Sequence, residues 1–209
     1  MRLDWYFDFI SPFAYLQFTR LAELPPTVEL RLQPVLLAGI LNHWGQLGPA
    51  EIEPKRRFTY QHVTWLAQQA GVPFRMPVGH PFNSLPMLRL ALTLGATREV
   101  VGRLFRFVWI DGHIPQQAEA WTLLLDELGV CDRTEAPAIK ERLRQTTEAA
   151  QQRGVFGVPT SITGGELFWG YDATDMLLDY CRFPAAFAGA ALSRAAGVPV
   201  AASRPRPSR

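Results

Sequence analysis

Residues 3–15 read Leu3-Asp-Trp-Tyr-Phe-Asp-Phe-Ile-Ser-Pro-Phe-Ala-Tyr15, and within them one backbone conformation hands over to another. Leu3, Trp5, Phe7 and Phe9 alternate with Asp4, Tyr6 and Asp8, the period-two signature of a strand with one strongly apolar face. Ser11 followed by Pro12 then reads as a helix N-cap with proline at the first helical position, where the missing N–H would have had no partner. Helix-compatible residues run from Phe13 to Leu24 until Pro25 and Pro26 stop them. Beyond that stop, Val28, Leu30 and Leu32 alternate with Glu29, Arg31 and Gln33, which predicts a second strand returning parallel to the first through a right-handed crossover. The chain opens as βαβ.

From Gly39 to Gly154 strand patterning disappears, and helical segments follow one another between breakers at Gly71 to Pro81, Gly95, Gly112 to Pro115 and Gly129 to Pro137. One of them starts at Thr97 as N-cap and places Val101, Leu104, Phe105 and Val108 at helical spacing, so that face is expected to enter a core. Strand character resumes at Thr160 to Thr163, turns at Gly164-Gly165, continues at Glu166 to Trp169 and gives way to a helix from about Asp172 to Arg182. A βαβ unit, a helical insertion and a ββα unit are the chain order of an α/β thioredoxin-like fold with an all-helical domain between its halves. The expected division is 1–38 with 154–185, an inserted 39–153, and a largely disordered extension over 186–209. In that layout the loop leaving the first strand and the residue ahead of the third converge, so Ser11 and Val158 are expected to meet.

The chain has 209 residues, 48% of them hydrophobic, with a formal net charge of +2. That is enough apolar material for a sizeable core, and the mixed charges make no field that would recruit nucleic acid or an acidic membrane. Residues 1–10 lack the continuous apolar region of a secretion signal, and the alanine-rich stretch from Phe183 to Ala202 is broken by Arg194, Gly197 and Pro199, so a cytoplasmic location without a membrane span is expected. Cys131 and Cys181, fifty residues apart, suggest buried reduced thiols and neither a disulfide framework nor a zinc site. His62, His80 and His113 have no metal-ligand spacing to each other or to Glu51 and Glu53, and no metal is expected. Nucleotide-binding glycine motifs are missing too. Trp65, Trp109 and Trp121 read as core. The Pro/Arg alternation of Ser203 to Arg209 reads as a disordered tail.

Four segments then carry a resemblance: Asp8-Phe-Ile-Ser-Pro-Phe-Ala-Tyr15, Pro34-Val-Leu-Leu, His80-Pro-Phe-Asn83 and Gly154-Val-Phe-Gly-Val-Pro-Thr160, closed by Phe168-Trp-Gly-Tyr-Asp172. In this order and spacing they resemble 2-hydroxychromene-2-carboxylate isomerases and kappa-class glutathione transferases over residues 3 to about 182. Disulfide oxidoreductases of the same fold carry Cys-x-x-Cys where this chain has Ser11-Pro-Phe-Ala14, so dithiol exchange cannot occur there. What survives is a hydroxyl and unpaired N–H groups at a helix N-terminus, where negative charge is favoured. A free thiol has a pKa of about 8.5, and lowering it by about two needs about 2.7 kcal/mol. A helix terminus supplies about 0.3 to 2 kcal/mol and a hydrogen bond to a charged acceptor about 1.5 to 3, so together they suffice.

The resemblance implies that glutathione is the cofactor, with its sulfur at Ser11 and its cysteinyl backbone paired to Val158 beside a cis Pro159. It also implies that Trp169, Gly170, Tyr171 and Asp172 hold the γ-glutamyl end, with Asp172 on the free amine. Lys55, Asn42 and His43, read as a polar loop after the second strand, and Asn83 with Ser84 are implied contacts to the glycine carboxylate or to an acidic aromatic substrate. By pattern alone Ser11 and Asp172 are ordinary helix caps, Pro159 is a trans proline opening a strand, Lys55 is a solvated charge and Asn83-Ser84 is an N-cap pair. The activity implied is glutathione-dependent isomerisation of 2-hydroxychromene-2-carboxylate by a homodimer. A kappa-like transferase and a non-catalytic glutathione-binding protein are the alternatives.

Overall fold

The computed structural model describes residues 1–130 and 136–202. Strand β1 (Arg2–Phe7) lies inside a four-stranded sheet of order β2-β1-β3-β4, parallel to β2 (Glu29–Pro34) and antiparallel to β3 (Thr160–Thr163), which pairs with β4 (Glu166–Trp169). Helix α1 (Pro12–Arg20) makes the crossover from β1 to β2, and the register sets Leu3 against Leu30 and Trp5 against Leu32. Among the described residues six α-helices follow before β3: α2 (Leu37–Trp44), α3 (Glu53–Gln69), α4 (Leu85–Thr93), α5 (Arg98–Trp109), α6 (Ala118–Glu127) and α7 (Pro137–Gln152). Helix α8 (Thr174–Arg182) closes the ββα unit. These are the elements read from the sequence, and the fold is the thioredoxin-like α/β arrangement with helices between its halves.

Both faces of β1 are covered, which the alternation alone did not require. Leu3, Trp5 and Phe7 point into an aromatic core whose hub is Phe105 of α5, its ring centroid 4.9 Å from Phe9, 5.3 Å from Phe18, 5.7 Å from Phe7, 6.0 Å from Tyr15 and 6.3 Å from Trp5. Thr97 caps α5 by accepting from the Val100 amide, and Val101, Leu104, Phe105 and Val108 are all buried as their spacing predicts. On the opposite face Tyr6 packs with Val35, Ile40, Val155 and Ile162 under α2 and α7. Asp4 is buried there too, held by Arg153 at 2.7 Å and Arg2 at 3.2 Å. Burial opposes its charge, but the two guanidiniums outweigh it and hold the carboxyl below the ordinary carboxylate range.

Two sequence expectations are corrected. Asn42 and His43 lie on the last turn of α2 and not in a loop, because Gly39 is no breaker: a Cβ there would meet Thr147 of α7 at 3.3 Å, so the glycine serves close helix packing. Trp65 is 54% exposed on the outer side of α3, whereas Trp109 is fully buried. Beyond α8 the described chain adds α9 (Ala190–Ala196), a run rich in the strongest helix former and bracketed by Gly189 and Gly197, while Phe187 packs its ring 5.1 Å from Tyr180. Ser203 to Arg209 and Cys131 fall outside the described residues; Cys181 is a buried free thiol, and burial pushes its pKa up. No helix among the described residues is long and apolar enough to cross a membrane.

Because five aromatic rings converge on one side chain, Phe105→Ala is expected to cost about 3–5 kcal/mol in urea unfolding, whereas Trp65→Ala on the exposed face should change stability by less than about 1 kcal/mol.

Candidate functional site

The β1–β3 ladder ends at Tyr6 opposite Thr160, and that register brings the loop after β1 against the bend before β3. Ser11 caps α1: its backbone is extended (φ −89°, ψ 114°), its Oγ accepts from the Ala14 amide at 3.2 Å, and Pro12 occupies the first turn. The same hydroxyl lies 3.5 Å from the carbonyl of Val158, its donor direction. The Val158–Pro159 bond is cis. Ser11 and Val158 therefore meet as expected, and with the ladder stopping at Thr160 the main chain of Val158 is left outside the sheet's hydrogen bonding.

Gly170 completes the bend, its amide donating to the Pro159 carbonyl at 2.9 Å. Its φ of +93° suits glycine, and a Cβ there would collide with Oδ1 of Asp172, which folds back over it. Asp172 is exposed and is not the cap of α8; that position is Ala173, without a side-chain bond. Trp169 is 52% exposed, its ring edge-on to Phe156 at 4.9 Å and its Nε1 2.7 Å from where a Cβ on Gly157 would stand. Tyr171 turns the other way, half-buried against the main core.

Of the remaining predicted residues, Asn42 and His43 are exposed at the end of α2, which Trp44 anchors by donating Nε1 to the Val155 carbonyl at 2.8 Å, three residues ahead of Val158. Lys55 is exposed in the first turn of α3. The same helix carries His62 to within 6.1 Å, ring to ring, of Phe13 in the first turn of α1, and Lys55, seven positions earlier, stands about 10 Å along the helix from His62. Asn83 and Ser84 part company. Asn83 is exposed, its Oδ1 accepting from Leu85 N at 3.1 Å, while Ser84 is buried with its hydroxyl on Asp8. Ser84 occupies the cap position of α4 without capping it.

Two residues of the site were overlooked by sequence reasoning. Asp8 is 1% exposed, and besides Ser84 it accepts from Ile10 N at 3.1 Å and Leu37 N at 2.9 Å, tying the Ser11 loop to the start of α2. Burial pushes its pKa up to about 6 against those hydrogen bonds. Its place inside the Asp8–Tyr15 motif was the available signal, but alternation cast it as a surface residue. Gln17 is fully buried in α1: its Oε1 accepts from Trp5 Nε1 at 2.7 Å, and its Nε2 donates to the Gly170 carbonyl at 2.9 Å and to Thr174 Oγ1 at 3.0 Å. A lone glutamine in an amphipathic helix gives no sequence sign of this. Two concavities of about 600 and 530 Å³ lie elsewhere, one beside Phe107 and Leu124 and one along the β2 edge, and share no residue with this cluster.

Residues 2–182 match the profile of the DSBA-like thioredoxin domain, and a 2-hydroxychromene-2-carboxylate isomerase of Pseudomonas putida is 34% identical over 191 residues, 85% of this chain and 92% of that one. The chain belongs to the DSBA-like thioredoxin family and, within it, to the family of these isomerases. A glutathione S-transferase kappa 1 of Rattus norvegicus is 24% identical over 77% of this chain and 80% of its own. A solved structure of a 2-hydroxychromene-2-carboxylate isomerase superposes with a TM-score of 0.78 at 29% identity, covering 92% of this chain and 99% of the other. The cytosolic disulfide reductase DsbM from Pseudomonas aeruginosa, solved with GSH, shares the fold at a TM-score of 0.58 and 17% identity. Membership makes the chain an enzyme of an isomerase family, with a function in the isomerase or glutathione-transferase range.

The raised pKa of Asp8 has a stability consequence with a definite sign. Between an unfolded pKa of about 4 and the folded value of about 6 the native state binds more protons, so this group's contribution falls as pH rises through that window. The stability of the wild type minus that of Asp8→Asn, followed by urea titration, should shrink by about 2 kcal/mol from pH 4 to pH 6.

Proposed function

We propose that the protein is a glutathione-dependent isomerase acting on 2-hydroxychromene-2-carboxylate or a close aromatic analogue, with Ser11 as the residue that handles the sulfur. The observation that carries this reading is the meeting of the Ser11 cap with the main chain of Val158, beyond the end of the β1–β3 ladder, at a cis-proline bend. The donor set suits the tripeptide: an N-cap hydroxyl at a helix N-terminus for a thiolate, a strand-like main chain for the cysteinyl backbone, and the exposed carboxylate of Asp172 beside Gly170 for an amine. Trp169, exposed before Gly170, and Tyr171, half-buried against the core, flank that glycine in the chain, and in this reading the exposed Lys55, Asn42, His43 and Asn83 meet the carboxylates of cofactor and substrate. Ser84, turned to Asp8, acts in this reading only through that contact.

The chemistry that glutathione supplies when bound is a reversible thiolate addition to the conjugated alkene, which lets the carbon–carbon bond turn before the sulfur leaves. Ser11 donates its hydroxyl proton to the sulfur in place of the long contact to Val158, and the first turn of α1 adds its dipole. Val158 and Pro159 fix the direction from which the sulfur arrives. With serine at the helix start no mixed disulfide forms, so the sulfur can only be held and released.

In the same reading the enzyme is a cytoplasmic homodimer, with residues 39–153 inserted between 1–38 and 154–185. The kappa-class relatives motivate a second reading, transfer of glutathione to an electrophile. Supplying the chromene carboxylate with and without glutathione separates them: catalytic glutathione accelerates the ultraviolet change without being consumed, and no acceleration in either case removes the isomerase reading. Binding by calorimetry with no turnover of either substrate class would leave a glutathione-binding protein. Ser11→Ala is expected to lower turnover about 10- to 100-fold, the loss of one hydrogen bond to a charged acceptor, and to cost about 1 kcal/mol of stability as a lost cap.

A further inference from the structure

The loop from Phe9 to Ser11 has its backbone groups held one by one. Asp8 Oδ1 takes the Ile10 amide, Trp109 Nε1 donates to the Phe9 carbonyl at 3.0 Å, and the Ser11 amide donates to the Asp8 carbonyl at 3.1 Å. The Phe9 amide bonds Asp8 and the Ser11 carbonyl accepts from the Tyr15 amide at 3.2 Å, which leaves the Ile10 carbonyl, and His80 Nε2 lies 2.8 Å from it. A carbonyl only accepts, so Nε2 carries the proton, and Nδ1 is left as an acceptor. The Tyr60 hydroxyl stands 2.8 Å from that Nδ1 and 2.7 Å from the carbonyl of His80 itself, between two acceptors for its single proton.

The ring is enclosed by Tyr60 from α3, Trp109 from α5 and Phe82 beside it, with centroids at 5.3, 5.7 and 6.0 Å, and Tyr60 is the titratable side chain shown against it. Burial lowers its pKa, which favours the neutral ring. The Ile10–Ser11 peptide is planar, so holding its carbonyl at His80 and its amide at the Asp8 carbonyl fixes the plane from which Ser11 projects its hydroxyl.

We propose that His80, its Nε2 proton directed to the Ile10 carbonyl and its ring and main chain held by Tyr60, is a positioning residue for Ser11, holding the Ile10–Ser11 peptide so that the Ser11 hydroxyl is aimed at the glutathione sulfur. This rests on the reading of Ser11 as the sulfur site. His80 reaches no reacting atom; it acts through a single carbonyl.

The test follows the thiolate ultraviolet band of glutathione bound to the whole protein across pH, together with turnover of the chromene carboxylate. His80→Leu, which removes the donor, is expected to raise the pH midpoint of the bound thiol by about one and to lower kcat about tenfold, with the KM for glutathione changed less than about threefold. His80→Gln, which keeps an N–H donor within reach, should restore most of both. An unshifted midpoint in His80→Leu, or no rescue by His80→Gln, overturns the proposal. If His80→Leu does not fold, Tyr60→Phe carries the same test, with a smaller upward shift expected and no shift overturning it. Nitrogen-15 spectra of the His80 ring without glutathione give an independent readout: a neutral ring protonated at Nε2 is expected, and an Nδ1–H or charged ring at neutral pH sinks the inference whether or not glutathione binds. A wild type that fails to bind glutathione while showing the expected ring sinks the reading of the site instead, and the proposal with it.

Discussion

The antiparallel pairing of β1 with β3 is the constraint on which this structure turns. It joins residues 3–6 to residues 160–163, and by ending at Tyr6 and Thr160 it leaves two short segments protruding from the same end of the sheet. One becomes the cap of α1, the other the cis-proline bend. Slipping the ladder by one residue would turn Trp5 and Phe7 out of the aromatic core and expose the side of β1 that Asp4 and Tyr6 occupy. The hydrophobic core thus sets the register, and the register sets the site.

Around that junction polar groups are buried on a scale that a scaffold alone would not need. Asp8, Gln17, Ser84 and Thr174 are each almost inaccessible, and the partners described for Asp8, Gln17 and Ser84 lie in the loop after β1, at the starts of α2 and α4, and in the turn at Gly170. Burying a carboxylate that is not ion-paired costs stability, as the raised pKa of Asp8 records. What the expense brings is definition: a surface loop of three residues with its main chain fixed at every hydrogen-bonding group.

Much of this was legible in the sequence because its signals were local. Alternation marked β1 and β2, Gly164-Gly165 marked the hairpin, Thr97 and Ser11 marked helix starts, and topology then placed Ser11 beside Val158. Failures came where a residue's role depended on an element far away in the chain. Gly39 looked like a boundary until Thr147 of α7 was found against it. Asp8 looked like the polar side of a strand, since nothing local says that α4 sends Ser84 to meet it. Asp172 looked like a cap, but the helix begins at Thr174, and the carboxylate bends back over Gly170. Trp65 looked like core because size was read as burial, whereas its position on α3 faces out.

Synthesis proceeds from β1 towards β3, and their separation has a kinetic side. At cellular elongation rates the partner strand emerges on the order of 10 s after β1 does. For that interval the edge of β1 that will bind β3 is unpaired, and Leu3, Trp5, Phe7 and Phe9 lack the enclosure that Phe105 later completes. The long separation of β1 from its antiparallel partner thus leaves a strand edge and its apolar side chains waiting until residues 160–163 have been made, a delay that topology alone imposes.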